Sequence, residues 1–235
     1  MITPEQNKEI TRYLVAKNLP IDLVLEVKDH MIEQIASMEN LCFEEAFEQV
    51  KISWKEELKM VFSFRLGFIH RITQFQNNVG GKINKNFFLK SLYFMLVFIF
   101  ITFILGRNNF KIFEILMVIT YYSCIAVTLL LFLLNFKIFK STFFVSLPKI
   151  NIFQKGANQI FVGGIYILLF NNLLFNRYEF LRATYKLFNS EFSIKIISET
   201  LFNYVYIWMW LFGLLYFLAY KKSIKELQNR VNLKL

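Results

Sequence analysis

Few side chains in this chain are placed to do chemistry. His30 stands with Glu26 and Glu33 at helical spacing, which puts an imidazole and two carboxylates on one face, a set able to ligate a divalent cation. Only one His belongs to the group and no second cluster accompanies it, so a solvated polar face explains it better, and Glu26, His30 and Glu33 are read as a candidate docking face. His70, flanked by Arg71, marks an interfacial segment rather than a general base. The only Asp residues, Asp22 and Asp29, fall on the same expected helix, so no Ser, His and Asp set can be assembled for nucleophilic catalysis. Cys42 and Cys124 lie in unrelated segments without CxxC spacing, which argues against a zinc knuckle or a disulfide framework. The expectation is a non-enzymatic protein with no catalytic residue, no metal and no cofactor.

A second polar group emerges when the apolar segments are laid at membrane depth. Asn171 and Asn172 end the third such segment and Asn203 opens the fourth, near Glu114 at the start of the second and Arg177 just beyond the third. Polar side chains at membrane depth face protein rather than lipid. This outer-leaflet cluster has two readings, hydrogen bonding from helix to helix or a small pocket for a ligand. Trp208 and Trp210 fall near the middle of the fourth segment, either as packing residues or because the boundary lies elsewhere.

The elements that would position these residues follow from composition. Hydrophobic residues make up 56% of the 235 positions and Phe alone 29, a membrane-like composition. Residues 1–60 carry 12 acids against 7 Lys and Arg, net −5, whereas the remainder is net +15. Two modules are implied. Spanning a hydrocarbon core takes roughly twenty mostly apolar residues, and the spacing predicts spans at 87–105, 115–134, 158–175 and 201–220. The N-terminus opens with polar sequence, without the pattern of a cleavable signal peptide, so the first module is expected in the cytoplasm. With that module inside, the inner segments hold 14 Lys and Arg and the outer loops six, which predicts both termini cytoplasmic. The expected fold is all-α, a four-helix transmembrane bundle (87–235) preceded by a small cytoplasmic three-helix domain.

Within residues 1–73 the helices are marked by local signals. Thr3-Pro4-Glu5-Gln6 has the form of a capping box with Pro at the first helical position, opening a helix to about Lys17. A second helix, about Ile21 to Met38, carries the stripe Val24, Val27, Met31, Ile35 and Met38, with Asp22, Glu26, His30 and Glu33 opposite. A third pattern places Phe43, Phe47, Val50, Trp54, Leu58 and Val61 on one side. From Met60 to Ile72 the pattern becomes aromatic and basic, as in a helix lying at headgroup level, and residues 74–86, with Gly80-Gly81, are expected as a linker. The inner loop Asn135 to Ala157 mixes Phe136, Phe139, Phe143, Phe144 and Phe153 with four Lys and no acid, which suits anionic lipid headgroups.

Over about the first sixty residues the order Tyr13-Leu14, Leu19-Pro20, Glu26, Asp29-His30 and Phe43-Glu44-Glu45-Ala46-Phe47 resembles the short helical prefix domains known as HAAS or permease-prefix domains. These precede membrane segments in bacterial proteins, often encoded beside PadR-type repressors or transporter components. Where that family commonly has a Gly-x-Pro turn, this chain reads Lys51-Ile52-Ser53-Trp54, which permits one continuous helix from Phe43 toward the membrane. The resemblance implies a bacterial protein of the inner membrane.

Two functions fit. One is a regulatory or signalling membrane protein whose cytoplasmic helices dock a partner in the membrane or cytoplasm. The other is an accessory or permease-like subunit of a transport or export complex. Beyond Lys90 at the edge of the span 87–105, the spans hold no acid, Lys, Arg or Pro to serve an ion pathway, which favours the first. Homo-oligomerisation stays open, and a nucleic-acid partner is not expected beside so acidic an N-terminal module.

Overall fold

The computed structural model describes residues 2–65, 68–143, 151–168 and 177–231. The chain is predominantly helical. Helix α1 (Pro4–Val15) opens with the expected capping box: Thr3 N–H donates to Gln6 Oε1 at 2.8 Å and Gln6 N–H to Thr3 Oγ1 at 3.3 Å. Asn18 then takes a left-handed φ of 57°, a conformation Asn tolerates, and Leu19-Pro20 turns the chain into α2 (Ile21–Ala36). Helix α3 is Phe43–Ser53. Ile10 and Leu14 of α1, Val24, Val27 and Met31 of α2, and Phe47 and Val50 of α3 close one aliphatic and aromatic core, sealed by Trp54 and Leu58. Trp54 Nε1–H donates to Gln34 Oε1 at 2.8 Å, so the one polar atom of that indole is satisfied at the core's edge.

Helix α3 stops at Ser53, so no continuous helix runs from Phe43 toward the membrane. Residues 60–72, expected as an interfacial helix, instead belong to an antiparallel hairpin, β1 (Met60–Arg65) and β2 (Phe68–Thr73), registered from Met60 opposite Thr73 to Arg65 opposite Phe68. Val61, Phe62, Phe64, Ile69 and Ile72 are β-branched or aromatic, the types that suit a pleated surface, and cross-strand pairing between the two runs outweighs a weak helical period. Residues 74–86, expected as a linker, are the opening turns of α4 (Gln74–Asn108). Thr73 caps that helix, accepting from Gln76 N–H at 3.1 Å, while Phe75 and Val79 pack onto the N-terminal core. These contacts and the apolar helix downstream offset the cost of about 1 kcal/mol that each of Gly80 and Gly81 imposes on a helix.

Helices α4, α5 (Phe110–Leu134) and α10 (Ile194–Val231) are long and apolar enough to cross a membrane. Asn109 alone separates α4 from α5 and caps the latter, accepting from Lys111 N–H at 2.9 Å. The predicted spans 87–105, 115–134 and 201–220 fall inside these helices. The third predicted span, 158–175, coincides over its first part with α8 (Gln159–Leu168), while residues 169–176 lie outside the described residues. Short helices α6 (Phe136–Phe143) and α7 (Gln154–Ala157) precede α8, and α9 (Arg177–Phe188) precedes α10.

Helix α10 is the spine, packing on α4, α7, α8 and α9. Its approach to α8 requires glycine: a Cβ on Gly163 would sit 2.7 Å from Trp210 Cα, and one on Gly213 would collide with the backbone of Gln159 and Ile160. Phe139, expected at a lipid-facing loop, is instead fully buried, stacked on Phe217 at 4.3 Å and edge-on to Phe161. Outward faces of α4 and α5 present Leu96, Phe100, Ile104, Ile115, Ile119 and Leu133 unburied. Apolar surface of that extent belongs in lipid.

Candidate coupling site between the N-terminal unit and the last helix

A cavity lined by titratable side chains lies between the polar face of α2 and the last turns of α10. Asp22, Leu25, Glu26, Asp29 and His30 line one wall of a cavity of about 340 Å³, and Ser223, Glu226, Leu227 and Arg230 line the other. The α2 residues recur at three- and four-residue spacing, so the same periodicity that buries Val27 and Met31 turns these side chains outward. On α10 the period places Ile224 and Leu227 inward, leaving Ser223, Glu226 and Arg230 beside α2.

A third segment stitches the two walls. Ile152 N–H donates to Asp22 Oδ2 at 3.1 Å, and the Ile152 side chain packs against the N-terminal core. The neighbouring Asn151 is buried, donates from Nδ2 to Ser223 Oγ and accepts from Phe153 N–H at 2.6 Å. Asp22 Oδ1 accepts from Leu23 N–H at 3.0 Å. Burial pushes the Asp22 carboxyl up to about 6; the backbone amides of Ile152, Leu23 and Asp22 itself pull it down and the Glu26 carboxylate adds a further upward push. The group therefore changes charge near neutral pH while holding a backbone amide from a distant part of the chain.

Of the expected docking face, Glu26 and His30 line this cavity. Glu33 is outside it, exposed, and faces His30 Nδ1 at 3.6 Å. Among the described residues no three His, Cys, Asp or Glu side chains converge as metal ligands. The lining is predominantly acidic, four carboxylates with one guanidinium and one imidazole, and Glu226 is 4.0 Å from Lys222.

Of the expected outer polar cluster, the described side chains are Asn203 and Glu114. Asn203 is 4% exposed; its Oδ1 accepts from Tyr121 OH at 2.9 Å and its Nδ2 donates to Thr184 Oγ1 at 3.1 Å, tying α10 to α5 and α9. Glu114 is half-buried on α5, and among the described residues no hydrogen bond or ion pair joins it to Asn203. Arg177 opens α9 with its side chain outside the description, and Asn171 and Asn172 lie outside the described residues. Sequence reasoning missed the partners. Thr102 and Tyr204 are joined through their hydroxyls at 2.8 Å, Trp208 Nε1–H donates to Ser91 Oγ at 3.0 Å, and Trp210 Nε1–H to Thr128 Oγ1 at 2.8 Å. The mid-helix Trp residues are thus packing residues. The available signal was the presence of Ser91, Thr102 and Thr128 inside apolar runs, since a hydroxyl at that depth needs a protein partner.

Comparison with protein-family models, with curated proteins and with solved structures finds no match to this chain. The fold and its lipid-facing surface define a helical membrane protein.

Proposed function

We propose that this chain is a non-enzymatic regulatory or signalling protein of a bacterial inner membrane, with both termini cytoplasmic. In this reading its N-terminal helical unit, akin to a HAAS-type prefix domain, docks a protein partner and passes that event to the spanning helices. The observation that carries the reading is the continuity of α4, whose Phe75 and Val79 belong to the N-terminal core and whose later turns form a span. A displacement of the N-terminal unit therefore moves a membrane helix directly, where a loose linker would absorb it. The bridge from Asp22 through Asn151 and Ile152 to Ser223 supplies a second mechanical link.

The test is capture from native membranes solubilised in mild detergent, comparing the parent with a Glu26→Lys, Glu33→Lys double variant. Both positions are exposed, so the core is untouched. A protein retained by the parent and lost from the variant supports docking on this face. Capture that is unchanged by charge reversal, or no capture at all, sinks it. The accessory-subunit reading draws on a different observation: only 17% and 22% of the apolar stretches of α4 and α5 are buried, against 39% in α10. It predicts an integral membrane partner retained equally by both forms.

A further inference from the structure

Where α4 meets the hairpin, the helix presents a polar stripe. Asn77, Asn78, Gly81, Lys82, Asn84 and Lys85 recur at three- and four-residue spacing and line one side of a cavity of about 480 Å³. Ser63 of β1 forms the opposing wall and is held there by its hydroxyl, which donates to Asn77 Oδ1 at 2.7 Å. Every lining group is an amide, a hydroxyl, an ammonium or a glycine, and none is a carboxylate. The sequence holds no Asp or Glu between Glu57 and Glu114, and among the described residues neither Lys82 nor Lys85 takes part in an ion pair. Two ammonium groups thus face a cavity with no internal counter-charge.

The depth of this cavity decides what fills it. The apolar run of α4 begins at Phe87, two residues beyond Lys85. At about 1.5 Å of rise per residue, Lys85 and Lys82 lie within roughly 10 Å of the hydrocarbon edge, the level of lipid phosphates. On the opposite face of β1, Phe62 is 79% exposed, an aromatic side chain suited to the same interface.

We infer that the cleft between β1 and the foot of α4 is a binding site for the phosphate headgroup of an anionic phospholipid, held by Lys82 and Lys85. The inference rests on α4 crossing the membrane, and on neither the docking nor the subunit reading. The absence of a carboxylate from the lining sets the selectivity: a zwitterionic lipid would bring its ammonium or choline against two lysines with nothing to pair it, whereas phosphatidylglycerol brings negative charge alone. Gly81 makes the room. A Cβ built on it meets nothing within 4 Å, so a larger side chain there fills the cleft without displacing the backbone.

The experiment is native mass spectrometry of the full chain released from detergent micelles, titrated with phosphatidylglycerol, phosphatidylcholine or inorganic phosphate. Carbonate extraction of the same membranes checks independently that each form is integral, which separates failure of the site from failure of the span. The parent should retain one phosphatidylglycerol with about tenfold preference over phosphatidylcholine. Lys82→Gln with Lys85→Gln should lose about thirtyfold, in line with the attraction two basic residues together have for an anionic leaflet. Gly81→Leu should lose a comparable factor with its charge unchanged, and Gly81→Ala should keep most of the binding. Equal retention by parent and Gly81→Leu would overturn the site in favour of diffuse attraction to a basic surface. Saturation by inorganic phosphate, or equal retention of the two lipids, would overturn the assignment to an anionic lipid.

Discussion

The N-terminal unit and the spanning helices are built from the same secondary structure with opposite polarity. In α1 to α3 the buried set is Ile10, Leu14, Val27, Met31, Phe47 and Val50, and the acids other than Asp22 face outward. In α4, α5 and α10 the outward set is Phe100, Ile104, Ile119, Leu133 and Leu201, and the buried set includes Ser91, Thr102, Thr128 and Asn203, paired through hydroxyl, amide and indole groups. The difference teaches which force holds each region. Water drives the first core together by apolar burial, whereas lipid offers no such drive, and the second region relies on close glycine-mediated packing and interhelical hydrogen bonds.

The largest expected effect tests the first half of that contrast. Phe47 is 2% exposed, edge-on to Tyr13 at 5.9 Å and stacked on Phe43 at 5.5 Å. Phe47→Ala should cost about 3 to 5 kcal/mol and loosen α1 to α3. Hydrogen exchange on the reconstituted protein should show protection lost there and kept in the spanning part of α5. Loss throughout the chain would mean one cooperative unit and break the contrast.

The junction between the regions comes next. Asp22 titrates near 6 when folded, above its ordinary value of 3.8. A carboxyl raised on folding contributes most stability below the unfolded value, and that contribution is lost as pH rises through about 6. Asp22→Asn removes this dependence. Between pH 4 and pH 7 the stability of the variant relative to the parent should rise by at most about 3 kcal/mol. A difference that stays flat with pH, followed by denaturant unfolding in detergent, would show the carboxyl to be fully hydrated.

The smallest effect lies in the membrane. A double-mutant cycle of Tyr121→Phe and Asn203→Leu, read by thermal unfolding in detergent, should give a coupling of about 0.6 to 2 kcal/mol. A coupling near zero would remove the polar seam from the forces holding α5 to α10.

Much of the architecture was legible because it is local. The capping box at Thr3 to Gln6, the stripe from Val24 to Ile35, and apolar runs long enough to span each depend on residues a few positions apart. Residues 60–72 were misread because Phe62, Phe64 and Phe68 fit an interfacial helix as well as a strand until Met60 is paired with Thr73. The Gly80-Gly81 pair suggested a linker, since its cost is visible in sequence while the offsetting contacts of Phe75 and Val79 are not.

Sequence by itself determined α1 to α3, three of the membrane-length segments and the face that carries Glu26 and His30, because helical period and hydropathy are properties of neighbours. Only the tertiary structure decided that this face meets Glu226 and Arg230 from the far end of the chain, that Asn203 bonds Tyr121 rather than joining Glu114, and that Ser63 walls a cleft beside Lys82 and Lys85. Those juxtapositions depend on loop closure and on the complementary shapes of packed surfaces, which no local window contains.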